Sequence, residues 1–143
     1  MSRPSASLPS DLLELVEARL SAPAQSTDIT AGYRQWTVAQ GGTICVAEFA
    51  DLLAPYAPVW DAWVSWIEPG GYVAPHVDAG PYRERWQVPL TGEPAFLVEH
   101  WQPHQVCNSS GVPRVHLVID RDVIVDPSPA RFRLVDGPAR LLP

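Results

Sequence analysis

"PVWDAWVSWIEPGGYVAPHVDAGPYRERWQVPL", residues 58–90, decides how this chain folds. Its first part sorts into two alternating sets, with Val59, Trp63 and Ile67 in one and Trp60, Val64 and Trp66 in the other. Both sets are apolar, which predicts a central strand with both faces covered rather than an edge strand. Pro69-Gly70-Gly71 then punctuates the run. Further short strand candidates follow: "YVAPH", "RWQVPL", "AFLVEHW", "HQVCN", "RVHLVID" and "FRLVD". "DAGP", "TGEP", "SSGVP" and "DPSP" separate them, and this regular spacing of turns predicts an all-β sandwich or barrel.

Upstream of residue 58 the pattern differs. Residues 1–9 are rich in Ser and Pro and are expected to be extended or frayed. From Ser10, Leu12, Leu13, Val16 and Leu20 recur at helical spacing, with Ser10 or Asp11 as the N-cap and "SAP" at 21–23 as the stop. "YRQWTV" reads as a short strand, and "VAEFADLLAPY" as a second short helix ended by Pro55 and Pro58. No repeat or low-complexity block divides the chain. Its 143 residues are therefore read as one domain (1–143), with a helical segment at about 10–56 and a β core at about 57–136.

Composition narrows the function. Hydrophobic residues make up 46% and charged residues 18%, a globular balance. No apolar run approaches the ~20 residues of a membrane helix, and no secretory signal is evident. A cytoplasmic protein with Cys45 and Cys107 reduced is expected, with no membrane partner. A net charge of -6 argues against non-specific nucleic-acid binding.

The four histidines all lie in the strand-rich half: His76, His100, His104 and His116. His76 and Asp78 are two apart, so on extended chain they point the same way. With His104 from another strand they make two histidines and one carboxylate, the set that suits non-haem Fe(II) and O2. Plainer readings stand beside this one. Asp78 can cap a turn, and His104 can be a buried ring satisfied by a backbone carbonyl. His100, between Glu99 and Trp101, reads as structural. Arg114 lies on an apolar strand where an unpaired guanidinium is costly, and a ligand carboxylate is its natural partner. Asp120 and Asp122 are poorly placed to pair with it. His116 shares its face and can support the same carboxylate. Arg85 reads either as a substrate contact or as a surface ion pair with Glu84. Trp86 and Trp101 are candidates for a pocket wall. Cys107 reads as a small buried hydrophobe, and Asn108 as a turn residue.

"WIEPGGYVAPHVD", "RERWQVPL" and "PHQVCNSSGVPRVHLVID" together resemble the aspartyl/asparaginyl β-hydroxylase-like branch of the Fe(II)/2-oxoglutarate dioxygenases, over residues 57–122. The resemblance implies a mainly β fold, the double-stranded β-helix (a jelly roll, cupin-like), with one or two N-terminal helices. It implies iron on His76, Asp78 and His104, and the far carboxylate of 2-oxoglutarate on Arg114. Arg85 falls where the family has an arginine facing the substrate pocket. Gln87 falls where many members carry a histidine that helps hold the cosubstrate, and here the residue departs. The implied activity is hydroxylation of an unactivated C–H bond in an amino acid, a peptide or protein side chain, or another small molecule. With so short a chain, either a small substrate fits a shallow mouth or a partner chain, such as a second copy in a homodimer, completes the pocket. The rivals are a cupin-like metal-dependent hydrolase or isomerase, and a non-catalytic small-molecule-binding jelly roll.

Overall fold

A computed structural model describes residues 10–22, 26–80, 82–123 and 131–143. The segment 1–9 expected to be frayed lies outside them, as do the side chains of the proposed caps Ser10 and Asp11. Helix α1 (Ser10–Arg19) is followed by β1 (Thr30–Gln40) and β2 (Thr43–Ile44). A short helical stretch comes next, with α2 (Ala50–Leu53) between two 3-10 turns. The remaining strands are β3 (Val59–Ala79), β4 (Tyr82–Pro89), β5 (Phe96–Val98), β6 (His104–Cys107), β7 (Arg114–Val123), β8 (Arg131–Leu134) and β9 (Arg140–Leu141). The protein is mainly β, as the alternation and turn spacing predict. Among the described residues no helix is long and apolar enough to cross a membrane.

The long strand β3 organises everything else. "PVWDAWVSWI" and "YVAPH", read as two strands from the sequence, form one 21-residue strand. Its first half pairs with β1 on one side and β7 on the other, so it is central as expected. Its second half pairs with β6 and β8, and the sheet curls over on itself. β1 extends well beyond "YRQWTV" and belongs to the sheet, so the β structure begins at residue 30 rather than near 57. The short strand β9, which the sequence did not signal, pairs with β6.

The bend needs glycine. Between the pairs Tyr33↔Ile67 and Ala31↔Tyr72, two residues of β1 span five of β3. Gly70 has φ +80, a conformation that L side chains avoid. A Cβ on Gly71 would lie 2.6 Å from the Ala31 carbonyl oxygen and 2.8 Å from Ile67. Asn108 clamps the turn: its N–H donates to Gly71 at 2.9 Å, and its carbonyl accepts from Gly70 at 2.7 Å. The Asn108 side chain, which donates to Ile67 and Val112, ties the β6–β7 loop to the same place.

Alternation divides the sheet into two faces. Ala62, Val64 and Trp66 of β3, Trp86 and Val88 of β4, and Val115, Leu117 and Ile119 of β7 form the larger core. α1 contributes Leu12 and Val16 to it, and the α2 region contributes Phe49, Leu53 and Tyr56. Burial of this apolar layer is the main stabilising term. The other face presents Trp63, Ser65 and Ile67, then Arg85 and Gln87, then Arg114 and Val118. That face lines a cavity.

Candidate metal centre

A second irregularity in β3 sets the ligands. Its register with β6 runs from Val73↔Val106 to His76↔His104, so one extra residue is inserted near Ala74-Pro75. A bulge of this kind switches which residues face inward. Both Val73 and His76 therefore face the cavity, although their numbers differ in parity. Pro75, which cannot donate to a ladder, sits at the insertion. His76 and Asp78 then share a face, and His104 arrives on the neighbouring strand, its ring centroid 4.2 Å from that of His76.

The two imidazoles are oriented identically. His76 Nδ1 lies 2.6 Å from the Ala74 carbonyl oxygen, and His104 Nδ1 lies 2.8 Å from that of Gln102. A carbonyl can only accept, so both Nδ1 atoms carry the proton and both Nε2 atoms turn inward. His76 Nε2 is 3.1 Å from Asp78 Oδ2, and His104 Nε2 is 3.8 Å from the same oxygen. All three ligand atoms lie within 4.8 Å of one another. Three electron-rich atoms facing one point need a cation among them, either a proton on Nε2 or a metal ion. The chemistry of the donors fits a metal: each histidine is held by a second hydrogen bond, as metal-binding histidines usually are. His76, Asp78 and His104 can therefore hold a metal ion.

Electrostatics agrees. Burial raises the Asp78 carboxyl, but the hydrogen bond with His76 and the charge of Arg85 outweigh it and hold the carboxyl below its ordinary value. Burial, and then the charge of His76, push the His104 ring down, favouring the neutral form that ligates. His100 stands outside the converging set. Its carbonyl accepts from the Asp78 N–H at 2.7 Å, and its ring packs on Tyr82 and Trp101.

Arg85 is not a surface residue. Its Nε and NH2 grip Asp120 at 2.7 and 3.0 Å, and its NH1 donates to Asp78 Oδ2 at 2.9 Å. The rings of Trp63 and Tyr82 lie 5.1 and 5.0 Å from its guanidinium carbon. Glu84, the partner considered for it, pairs with Arg121 instead. Arg85 lines the cavity, but the structure commits its fork to the two aspartates.

Arg114 behaves differently. Its NH2 donates to Gln87 Oε1 at 3.2 Å, its Nε and NH2 both donate to the main-chain oxygen of Pro143, and no carboxylate side chain among the described residues pairs with it. Desolvation pushes its guanidinium down to about 10. His116 Nδ1 donates to the same Gln87 Oε1 at 2.9 Å. Gln87 thus acts through its oxygen and orients both neighbours. His116 does not line the metal cavity; with Arg114 it borders a second cavity of about 700 Å³ on the far side of that arginine.

The metal cavity measures about 210 Å³ and brings together His76, Asp78, His104, Arg85, Gln87 and Arg114. Two sequence expectations need correction. Trp86 lies in the opposite core and Trp101 is exposed, so neither lines the cavity; Trp63 does. Cys107 is exposed, because alternation along β6 turns Val106 inward and Cys107 out. Asp120 does not pair with Arg114, in keeping with the sequence reading; what that reading missed is that Asp120 is buried opposite Arg85 and pairs with it. Its signal was present in the sequence, since Arg114, His116, Val118 and Asp120 share one strand face. The chain matches no protein-family model and no curated protein.

Proposed function

We propose that this protein is an Fe(II)- and 2-oxoglutarate-dependent dioxygenase on a double-stranded β-helix, hydroxylating a C–H bond of a small-molecule or peptide substrate. In the overall reaction one atom of O2 enters the new hydroxyl group. The other enters succinate as 2-oxoglutarate loses CO2. The observation that carries the reading is one cavity with two opposite demands. Three converging donor atoms at His76, Asp78 and His104 ask for a cation, and the desolvated Arg114 asks for an anion. A 2-oxo dicarboxylate has a chelating end for a metal and a far carboxylate for a guanidinium, so it answers both.

His76, Asp78 and His104 would hold the iron, which when bound supplies Lewis acidity and the electrons for O2 chemistry. Arg114 would bind the far carboxylate, its guanidinium exchanging the Pro143 oxygen for the ligand while Gln87 Oε1 keeps it oriented. Ile67, Val73, Val106, Val118 and Leu142 form apolar walls that exclude water from the reacting centre. The curl of β3 over the sheet accords with the double-stranded β-helix. The exposed free thiols of Cys45 and Cys107 accord with the reducing cytoplasm that Fe(II) requires.

The test is succinate formation and oxygen consumption by the purified chain given Fe(II) and 2-oxoglutarate. Slow uncoupled turnover is expected only with both present, and at least ~100-fold less in Asp78→Ala and His104→Ala. Metal-dependent hydrolysis or isomerisation with zinc or manganese, and no succinate with iron, would move the chain to the cupin-like rival.

A further inference from the structure

The chain Asp120–Arg85–Asp78 has a consequence for the metal site, and the inference rests on that site being one. Arg85 offers a flat fork with an edge of Nε and NH2 and a remaining NH1. Asp120 occupies the edge with both oxygens, at 2.7 and 3.0 Å. Only NH1 is left for Asp78, which it meets with one bond of 2.9 Å at Oδ2. Trp63 and Tyr82 hold the guanidinium plane in this orientation. Asp120 is itself only 2% exposed. Asp61 is its register partner across β3, so the neighbourhood of Asp120 is otherwise negative.

Counting charge gives the result. Arg85 and Asp120 cancel, and the single negative charge of Asp78 remains for a cation. Without the Asp120 charge, the Arg85 guanidinium would have only Asp78 to neutralise it at this distance. Its edge would turn onto that carboxylate, and an arriving cation would meet a neutral pair.

We propose that Asp120 is a positioning residue for the metal centre: by gripping Arg85 edge-on, it limits that guanidinium to one hydrogen bond on Asp78 and keeps the carboxylate available to a divalent cation. Arg85 is thereby a support of the metal site and not a substrate contact. Substrate recognition has to come from other residues of the cavity.

The experiment is titration of the full chain with Co(II), followed by visible d–d absorbance, which reports coordination directly. Asp120→Asn is expected to weaken Co(II) binding at least tenfold. Arg85→Met/Asp120→Asn removes both charges and leaves Asp78 unopposed, and should bind within about threefold of the parent with the same d–d spectrum. A residue that merely supported the fold would not show this rescue. Circular dichroism of the metal-free forms checks that each variant is folded. If Asp120→Asn does not fold, the double variant decides alone: near-parental affinity supports the proposal, and a tenfold loss overturns it. Parental affinity in a folded Asp120→Asn, or a double variant as weak as the single, likewise overturns it and leaves the metal reading standing. A parent chain that binds no Co(II) removes the metal reading and this inference together.

Discussion

Arg85 and Arg114 sit on the same face of the same sheet and line one cavity, yet their surroundings are opposite. Arg85 touches two carboxylates and two aromatic rings, and although burial works against its charge, Asp120 raises the guanidinium above its ordinary value. Arg114 meets no side-chain carboxylate among the described residues; it donates to Gln87 Oε1 and to the main-chain oxygen of Pro143, and burial pulls it down to about 10. A buried charge with its counter-charge built in is part of the architecture. A buried charge without one costs stability and is tolerable where a ligand supplies the missing sign. The contrast places Arg85 in the scaffold of the site and makes Arg114 the arginine that the proposed function gives to the ligand.

Four measurements break or sharpen that contrast. The largest effect belongs to Arg85. Arg85→Met strands the buried Asp120 carboxylate and is expected to cost about 3–5 kcal/mol in urea denaturation. Arg114→Met strands no side-chain carboxylate among the described residues and should cost under ~1 kcal/mol; equal losses would break the comparison. Next, Arg114→Met should raise the 2-oxoglutarate concentration for half-maximal succinate formation at least ~30-fold, as expected when one side of a desolvated charge pair is lost. Unchanged half-saturation would free Arg114 from the cosubstrate.

The third effect is on pH. Burial, and then the charge of Arg114, push the His116 ring from 6.5 down to about 3. The unfolded chain therefore takes up the proton first. This contribution is complete above 6.5 and is lost as the pH falls toward 3. Moving from pH 7 to 5 should cost about 2 kcal/mol from this residue, read as a drop in the urea midpoint, and His116→Gln should flatten the slope. The smallest effect is at Gln87, whose oxygen serves both Arg114 and His116. Gln87→Leu removes two hydrogen bonds to one acceptor. It should weaken 2-oxoglutarate half-saturation about fivefold, in line with about 1 kcal/mol for such a contact. An effect as large as that of Arg114→Met would make Gln87 a direct ligand contact.

Much of the site is legible in one dimension. His76 and Asp78 two apart, and Arg114 in an apolar strand without a nearby acid, are local patterns, and alternation carries them into three dimensions unchanged. The same alternation indicates which of Val106 and Cys107 turns inward only once the facing side of β6 is known, and there the buried reading of Cys107 fails. Arg85 was ambiguous for a related reason. Glu84 is its neighbour in sequence, whereas Asp120 is 35 residues away and reaches it only across the β4–β7 ladder.

By itself the sequence determined the mainly β character, the central place of "VWDAWVSWI" and the shared face of His76 and Asp78, because each rests on spacing along the chain. The tertiary structure alone decided three further things. It joined two strands through the Gly70-Gly71 bend, it turned His76 inward through the bulge at Ala74-Pro75, and it gave one arginine two aspartates while leaving the other none. Those outcomes depend on the register between distant strands, and register is set by the packing of whole faces and by no short stretch of residues.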